Sequence, residues 1–277
     1  MKRVTLCADD YALNDAVSRG ILQLAEAGRL SAISCMSVSR HWPEHARWLE
    51  PLRGRVDIGL HLTLTELAPL GPMPRFVPSK QFPPLGKVLG DGLLHRLPVA
   101  EIAAELERQM ECFIEQTGHA PDFIDGHQHI HLLPGVRETV LALWQHHMRS
   151  TDGYLRSCHE PLGAILKRGV EPAKAIIIST LSRRLTRMAK QRGIPINDSF
   201  RGVHDFSGRV LPQQLFPHFL QGTGQRPLIM CHPGLLGSSN DVLRDWRPQE
   251  QSYFASELFV EDMEEAGVVL GRLVGQS

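Results

Sequence analysis

The side chains with the most chemical potential lie in one heptapeptide, Asp125 to His131, which reads Asp-Gly-His-Gln-His-Ile-His. Side chains alternate between the faces of an extended strand, so we expect positions 125, 127, 129 and 131 to project from one face. One carboxylate and three imidazoles would then share a small volume. Burying so many polar groups without a function is costly, whereas a divalent ion would use them as ligands. The heptapeptide therefore predicts a metal site that activates water for hydrolysis.

Three further polar clusters lie at the ends of predicted strands. They are Asp9-Asp10 after residues 4–8, His61 within residues 56–62, and His232 after Pro227–Cys231. Taken singly, each has an ordinary explanation: an acidic pair often forms a turn, and a lone histidine is as often structural as functional. Active sites of parallel α/β proteins are assembled at the carboxyl ends of the strands. The repeated placement therefore predicts one shared site.

Strands and helices alternate along most of the chain, which is typical of a parallel α/β sheet or barrel. We predict a helix that begins at Asn14 or Asp15 and ends near Gly28. Further predicted elements are strands at 31–38, 123–131 and 268–270 and helices at 45–52, 100–116, 135–147 and 249–267. The length of 277 residues suits a single domain spanning 1–277.

Two segments depart from this pattern. Residues 69–98 are rich in proline and glycine and lack helical or strand periodicity. Such a long connection is often a functional lid, although a surface excursion or an oligomer contact is an equal alternative. Residues 174–192 are strongly basic. We interpret them as a solvated helix face, with phosphate contact as the alternative.

Composition excludes several classes of partner. The 30 basic and 30 acidic side chains cancel, which argues against a nucleic-acid or anionic-membrane surface. The five cysteines are scattered without a CxxC pair, which indicates free thiols in a reducing compartment. The apolar run at the N-terminus is too short for a signal peptide, and none reaches the length of a membrane span. We expect a cytoplasmic protein with a small-molecule substrate; a homo-oligomer stays open.

Four motifs in order resemble the YdjC-like carbohydrate deacetylases, a family that includes chitooligosaccharide deacetylases and a hopanoid-biosynthesis-associated branch. They are Ala-Asp-Asp-Tyr at 8–11, Gly-Leu-His-Leu-Thr-Leu-Thr at 59–65, Asp-Gly-His-Gln-His-Ile-His-Leu-Leu-Pro at 125–134 and Cys-His-Pro-Gly at 231–234. Each motif alone is weak, but the ordered set is specific and spans residues 4 to about 270. One departure is Ala12, where the family commonly has glycine, which affects turn geometry more than chemistry.

The resemblance implies an irregular (β/α) barrel related to the polysaccharide deacetylases. It also implies one divalent cation, often described as magnesium in this family, although histidine ligands favour zinc. By likeness, Asp10, His61 and His127 would bind the metal. Asp9 would be the general base and His232 the general acid.

Other residues have supporting roles in this hypothesis. His129 and His131 match further positions of the third motif. Asp125 is predicted to orient an imidazole by accepting its second N–H. Arg156 either pairs with Asp9, contacts substrate, or is an exposed strand-end charge. We also consider four aromatic residues for stacking on sugar rings: Tyr11, Trp42, Phe76 and Phe82.

The function implied is removal of an acetyl group from an N-acetylated amino sugar, either an oligosaccharide or a glycolipid. A metal-dependent phosphoesterase or amidohydrolase is the nearest alternative, but those enzymes usually carry His-x-His on the first strand. A non-catalytic sugar- or metal-binding protein is a further alternative. It would need neither a base at Asp9 nor an acid at His232.

Overall fold

A computed structural model describes residues 1–222, 224–237 and 241–275. The strands are β1 Lys2–Tyr11, β2 Ala32–Cys35, β3 Asp57–Leu62, β4 Phe123–Gly126, β5 Tyr154–Leu155, β6 Ser199–Arg201, β7 Pro227–Cys231 and β8 Val268–Leu270. The helices are α1 Asp15–Glu26, α2 Trp42–Trp48, α3 Leu85–Leu93, α4 Val99–Thr117, α5 Val136–His147, α6 Leu162–Arg168, α7 Pro172–Gln191, α8 Pro212–Leu220, α9 Arg247–Ala255 and α10 Glu257–Glu265. Short 3₁₀ helices occupy Glu50–Leu52 and His127–Leu132.

The strands form one parallel sheet in the order β5-β4-β3-β2-β1-β7-β6, with β8 paired to the start of β1. The two edges of this order approach each other, because the Leu155 N–H donates to the Pro195 carbonyl at 2.9 Å just before β6. A parallel bridge joins Leu155 to Ile196 at the same place. The predicted irregular (β/α) barrel is thus confirmed as a curled half-barrel of parallel strands with helices.

Burial explains the runs of apolar residues in the central strands. Every residue of β2, β3 and β7 is buried, as expected for parallel strands covered on both faces. The Asn14 side chain caps α1, as predicted, by accepting from the Val17 N–H, and left-handed Gly118 (φ 75°) ends α4. These elements hold the carboxyl ends of β1, β3, β4 and β7 at one edge of the sheet.

Several predicted boundaries are wrong. The predicted helix at 249–267 is two helices, because extended Ser256 (φ −80°, ψ 161°) separates α9 from α10. The second helix begins at Trp42 rather than at residue 45, and the strand at 31–38 shortens to Ala32–Cys35. Residues 69–98 also contain a helix, α3, which the proline and glycine content concealed.

The prediction that residues 123–131 form one strand is also wrong. Strand β4 ends at Gly126, and the chain turns into a 3₁₀ helix in which Gln128 (φ 53°) and His129 (φ 61°) are left-handed. A Cβ at Gly126 would lie 3.0 Å from Nδ1 of His131, so the absent side chain lets the chain fold back tightly. The heptapeptide therefore does not present its four polar side chains on one face.

Two expectations from composition concern the chain as a whole. None of the described helices combines the length and the apolar composition that crossing a bilayer requires. All five cysteines are within the described residues and are free, and four of them are buried.

Candidate metal and hydrolytic site

Three predicted ligands meet at the carboxyl ends of β1, β3 and β4. Asp10, His61 and His127 each offer a ligand atom, and these atoms all lie within 4.8 Å of one another. Nδ1 of His127 is 3.0 Å and Nε2 of His61 is 3.4 Å from the same oxygen, Oδ1 of Asp10. All three residues are buried. The sheet therefore brings together side chains that are up to 117 positions apart in sequence.

A carboxylate and a hydroxyl fix the orientation of His61. Nδ1 of His61 lies 2.7 Å from Oδ1 of Asp125 and 2.9 Å from Oγ of Ser34, whose hydroxyl donates to the same Asp125 oxygen at 2.6 Å. Burial disfavours the charged imidazole, but Asp125 and Asp10 outweigh it and raise the pKa of His61 to about 10. Asp125 therefore contacts His61 at Nδ1, and Nε2 of His61 faces Asp10.

His127 is held from its other side by a residue that sequence reasoning missed. Nε2 of His127 lies 3.1 Å from Oε2 of Glu66, and the Gln128 side-chain amide donates to Oε1 of Glu66 at 2.6 Å. Burial opposes charge on His127, but Asp10 and Glu66 raise its pKa. Glu66 directly follows the Gly-Leu-His-Leu-Thr-Leu-Thr stretch, so its position next to that motif was the available signal.

Asp10 is oriented by an arginine from the far end of the chain. Nη2 of Arg247 donates to Oδ2 of Asp10 at 2.9 Å, and Nε of Arg247 donates to Oδ2 of Asp241 at 2.6 Å. Burial works against the carboxylate, but His127 and Arg247 hold the pKa of Asp10 well below its usual range. Asp10 also has a left-handed backbone (φ 69°), a strain often found at functional sites. Arg247 carried no recognisable sequence signal.

Asp9 forms a bidentate ion pair with Arg156. The Nη1–H of Arg156 donates to Oδ2 of Asp9 at 2.7 Å and its Nη2–H to Oδ1 at 2.6 Å. Nη2 also lies 2.6 Å from Oδ2 of Asp125. Arg156 is fully buried, so the alternative of an exposed strand-end charge is wrong. One guanidinium thus links Asp9 to the carboxylate that orients His61.

His232 reaches the same site from the end of β7. Its backbone N–H donates to the buried Glu250, and its ring packs edge-on against Phe206 with centroids 5.0 Å apart. Its Nδ1 is buried and has no hydrogen-bond partner in the described part of the chain. Burial lowers the pKa of His232 to about 4, although Asp10 and Asp9 oppose that shift. The imidazole is therefore neutral at neutral pH.

His129 and His131 lie on another side of the arginine. Nε2 of His131 is 3.2 Å from the Arg156 carbonyl oxygen, and Sγ of Cys158 is 3.7 Å from Nδ1 of His129 and 3.8 Å from Nε2 of His131. Burial lowers the pKa of His131 to about 4 and that of His129 well below its usual range. Neither residue belongs to the Asp10–His61–His127 group.

The site opens into a pocket of about 1250 Å³ that Asp9, Asp10, His61, His127 and His232 all line. The wall also includes Leu67, Ala68, Pro69, Leu70, Gln81, Leu85 and Leu89. The proline- and glycine-rich segment therefore lies against the site, as its interpretation as a lid requires.

One prediction about the pocket wall is wrong. The four aromatic residues considered for sugar stacking are buried in the core and do not line the pocket: Tyr11, Trp42, Phe76 and Phe82. The basic side chains of residues 174–192 are exposed, as their interpretation as a solvated helix face expects. Lys174, at one end of that face, also has contacts beside the site. Its ammonium donates to the His204 carbonyl at 2.7 Å and lies 4.9 Å from the Phe206 ring centroid, and Lys174 lines the pocket.

Known proteins resemble the chain in sequence and in fold. The sequence model described as YdjC-like protein matches residues 3–265. A human protein named carbohydrate deacetylase is 30% identical over 260 residues, which cover 84% of this chain and 75% of that protein. A chitooligosaccharide deacetylase of Enterobacter sp. (strain 638) is 33% identical over 136 residues, about half of either chain (49% and 52%).

One solved structure has the same fold over almost the whole chain. It is a putative cellobiose-phosphate cleavage protein from Enterococcus faecalis V583, with a TM-score of 0.74 and 20% identity. The superposition covers 98% of this chain and 97% of the other.

Proposed function

The chain belongs to the YdjC-like protein family, and we propose that it is a metal-dependent hydrolase that removes an acetyl group from an N-acetylated amino sugar. The observation that carries this proposal is the buried group of Asp10, His61 and His127 beside the Asp9–Arg156 ion pair, in one pocket. Sequence similarity to proteins named carbohydrate deacetylase over most of the chain supports the same activity.

The donor set fits one divalent cation. Asp10, His61 and His127 would hold it, with Asp125, Glu66 and Arg247 bonded to their outer atoms. Two imidazoles and one carboxylate leave coordination positions open for water and substrate, and imidazole ligands favour zinc over magnesium. When bound, such an ion polarises a carbonyl and lowers the pKa of a bound water.

The proposed roles of Asp9 and Arg156 follow from their geometry. Asp9 lines the pocket beside Asp10 and would accept the proton of the attacking water. Arg156 holds both Asp9 oxygens in a fixed plane, so the acceptor is already positioned when substrate binds. Arg156 is thus a positioning residue for the base.

His232 is the proposed general acid, which protonates the amine that leaves. Because burial lowers its pKa to about 4, the resting ring is neutral, and it would first take up the proton that Asp9 receives from the attacking water and then pass that proton to the amine. The ring lines the pocket, and its Nδ1, which has no partner among the described residues, is available for proton exchange.

The pocket wall supports a finer proposal, an amino sugar joined to an apolar group. Beyond the polar site the lining is largely aliphatic: Leu70, Leu85, Leu89, Leu132, Ile177, Ile178, Leu181, Val242 and Leu243. Ile177 is 62% exposed and Val242 81% exposed, which is unusual for side chains at the mouth of a site for a purely polar ligand. A glycolipid would cover these side chains, whereas an oligosaccharide would leave them in water. The homo-oligomer stays a prediction.

The test is acetate release from a matched panel of substrates. We expect release from N-acetylglucosamine carrying a long alkyl aglycone, with a higher kcat/KM than from chitobiose or from the methyl glycoside. Equal kcat/KM across the panel would contradict the apolar aglycone while leaving deacetylation intact. Hydrolysis of phosphate esters in place of acetate release would instead support the phosphoesterase alternative.

A further inference from the structure

A second group of potential metal ligands lies outside the proposed catalytic group. It consists of Asp15, at the start of α1, and of His41 and His45, which lie one turn apart at the start of α2. Their ligand atoms also lie within 4.8 Å of one another. Neither histidine belongs to the four sequence motifs, and His45 is fully buried.

His45 is held in the orientation that a ligand needs. Its Nδ1 is 2.9 Å from Oγ of Ser18, and its Nε2 is 3.0 Å from Oδ1 of Asp15. The ring stacks between His41, at 5.3 Å and 26°, and Trp48, at 4.2 Å and 23°. Because Nδ1 is bonded to Ser18, Nε2 is the ring nitrogen that faces Asp15. A partner such as Ser18, at the ring nitrogen that does not bind the ion, is the usual support of a metal-bound histidine.

Two distances within the group bracket the separation expected between ligand atoms of one zinc ion. Two ligand atoms each ~2.1 Å from a zinc ion lie about 3.4 Å apart. Oδ1 of Asp15 lies 3.0 Å from Nε2 of His45 and 3.5 Å from Nδ1 of His41. The side chains of Asp15 and His41 are 58% and 26% exposed, so an ion can reach the group and complete its coordination with water.

We propose that Asp15, His41 and His45 form a second binding site for a transition-metal ion of the zinc type, separate from the proposed catalytic ion. Two histidines one helical turn apart plus a carboxylate are ligands that zinc prefers.

An ion here would join two segments next to the catalytic pocket. Oγ of Ser18 also accepts from the N–H of Ala12, two residues beyond Asp10. His41 and its neighbour Arg40 line the pocket. Binding at the second site would therefore fix the α1–α2 side of the pocket entrance relative to the strand that carries Asp9 and Asp10.

The test is zinc stoichiometry, measured by titration of the metal-free protein against a chromophoric chelator. We expect two equivalents for the unmodified protein and one each for His41→Ala and Asp15→Asn. Both substitutions are at solvent-accessible side chains, and circular dichroism with thermal melting confirms that each variant folds. The matched control is His146→Ala: His146 is an exposed histidine near His147 and Glu107, and its loss should leave two equivalents.

A double comparison separates this proposal from the catalytic one. His61→Ala should remove one equivalent and leave the other, and adding His41→Ala should remove both. If His41→Ala and Asp15→Asn both keep two equivalents, or if His146→Ala loses as much zinc as they do, the second site is wrong. If His61→Ala keeps two equivalents while His41→Ala keeps one, the second site stands and the catalytic ligand set fails.

Discussion

Replacing Glu66 with glutamine tests whether the carboxylate behind His127 tunes the metal site. In the unmodified protein, Oε2 of Glu66 lies 3.1 Å from Nε2 of His127. Glutamine keeps the size of the side chain and an oxygen that can accept from this nitrogen, but it removes the charge. Carboxylate partners of metal-bound histidines typically contribute about 10–100-fold to metal affinity or activity. Since the Glu66 side chain is 39% exposed, we expect little loss of folding stability.

We therefore expect Glu66→Gln to weaken metal binding ~10-fold. This is the low end of the range, because the hydrogen bond between residue 66 and Nε2 of His127 survives. Glu66→Ala should weaken it further. The dissociation constant is measured by chelator competition and kcat/KM by acetate release at saturating metal. Glu138→Gln is the matched control, since Glu138 is about as exposed and lies outside the pocket. An unchanged dissociation constant in both Glu66 variants would refute the role of this carboxylate.

Three further substitutions or treatments follow from the site geometry. Arg156→Lys loses the bidentate grip on Asp9, and we expect kcat to fall ~100-fold with metal content retained, measured by acetate release and metal analysis; normal kcat would contradict the positioning role. Arg247→Met leaves Asp10 without its buried partner, and we expect about 3–5 kcal/mol less stability in urea unfolding; a loss below ~1 kcal/mol would contradict it. Removing the ion with a chelator should lower Tm, because an ion that binds only the folded protein adds about 2.7 kcal/mol to its free energy of unfolding at 100 times Kd. An unchanged Tm, measured by calorimetry, would contradict the presence of such a site.

The sequence predicts the main elements well because their signals are local. The Asn14 cap and the buried strand Pro227–Cys231 each depend on a few neighbouring residues, and both are found as predicted. The placement of polar residues at strand ends also anticipates which side chains meet, because parallel strands share one carboxyl edge.

The sequence could not predict features that depend on long-range contacts or on backbone reversal. The turn after Gly126 needs left-handed Gln128 and His129, which no residue type there requires. Glu66 and Arg247 are ordinary charged residues in sequence, and only the fold brings them to His127 and Asp10. The aromatic residues are buried because helices and loops cover them, which composition does not reveal.

Adjacent substitutions at Asp9 and Asp10 test the central claim most directly, because the two carboxylates differ by one position and by role. Metal content by atomic absorption and kcat by acetate release are measured side by side for Asp9→Asn and Asp10→Asn. We expect Asp9→Asn to keep its metal and lose turnover, and Asp10→Asn to lose the metal together with turnover. Metal loss in Asp9→Asn with full occupancy in Asp10→Asn would contradict the proposed assignment of ligand and base.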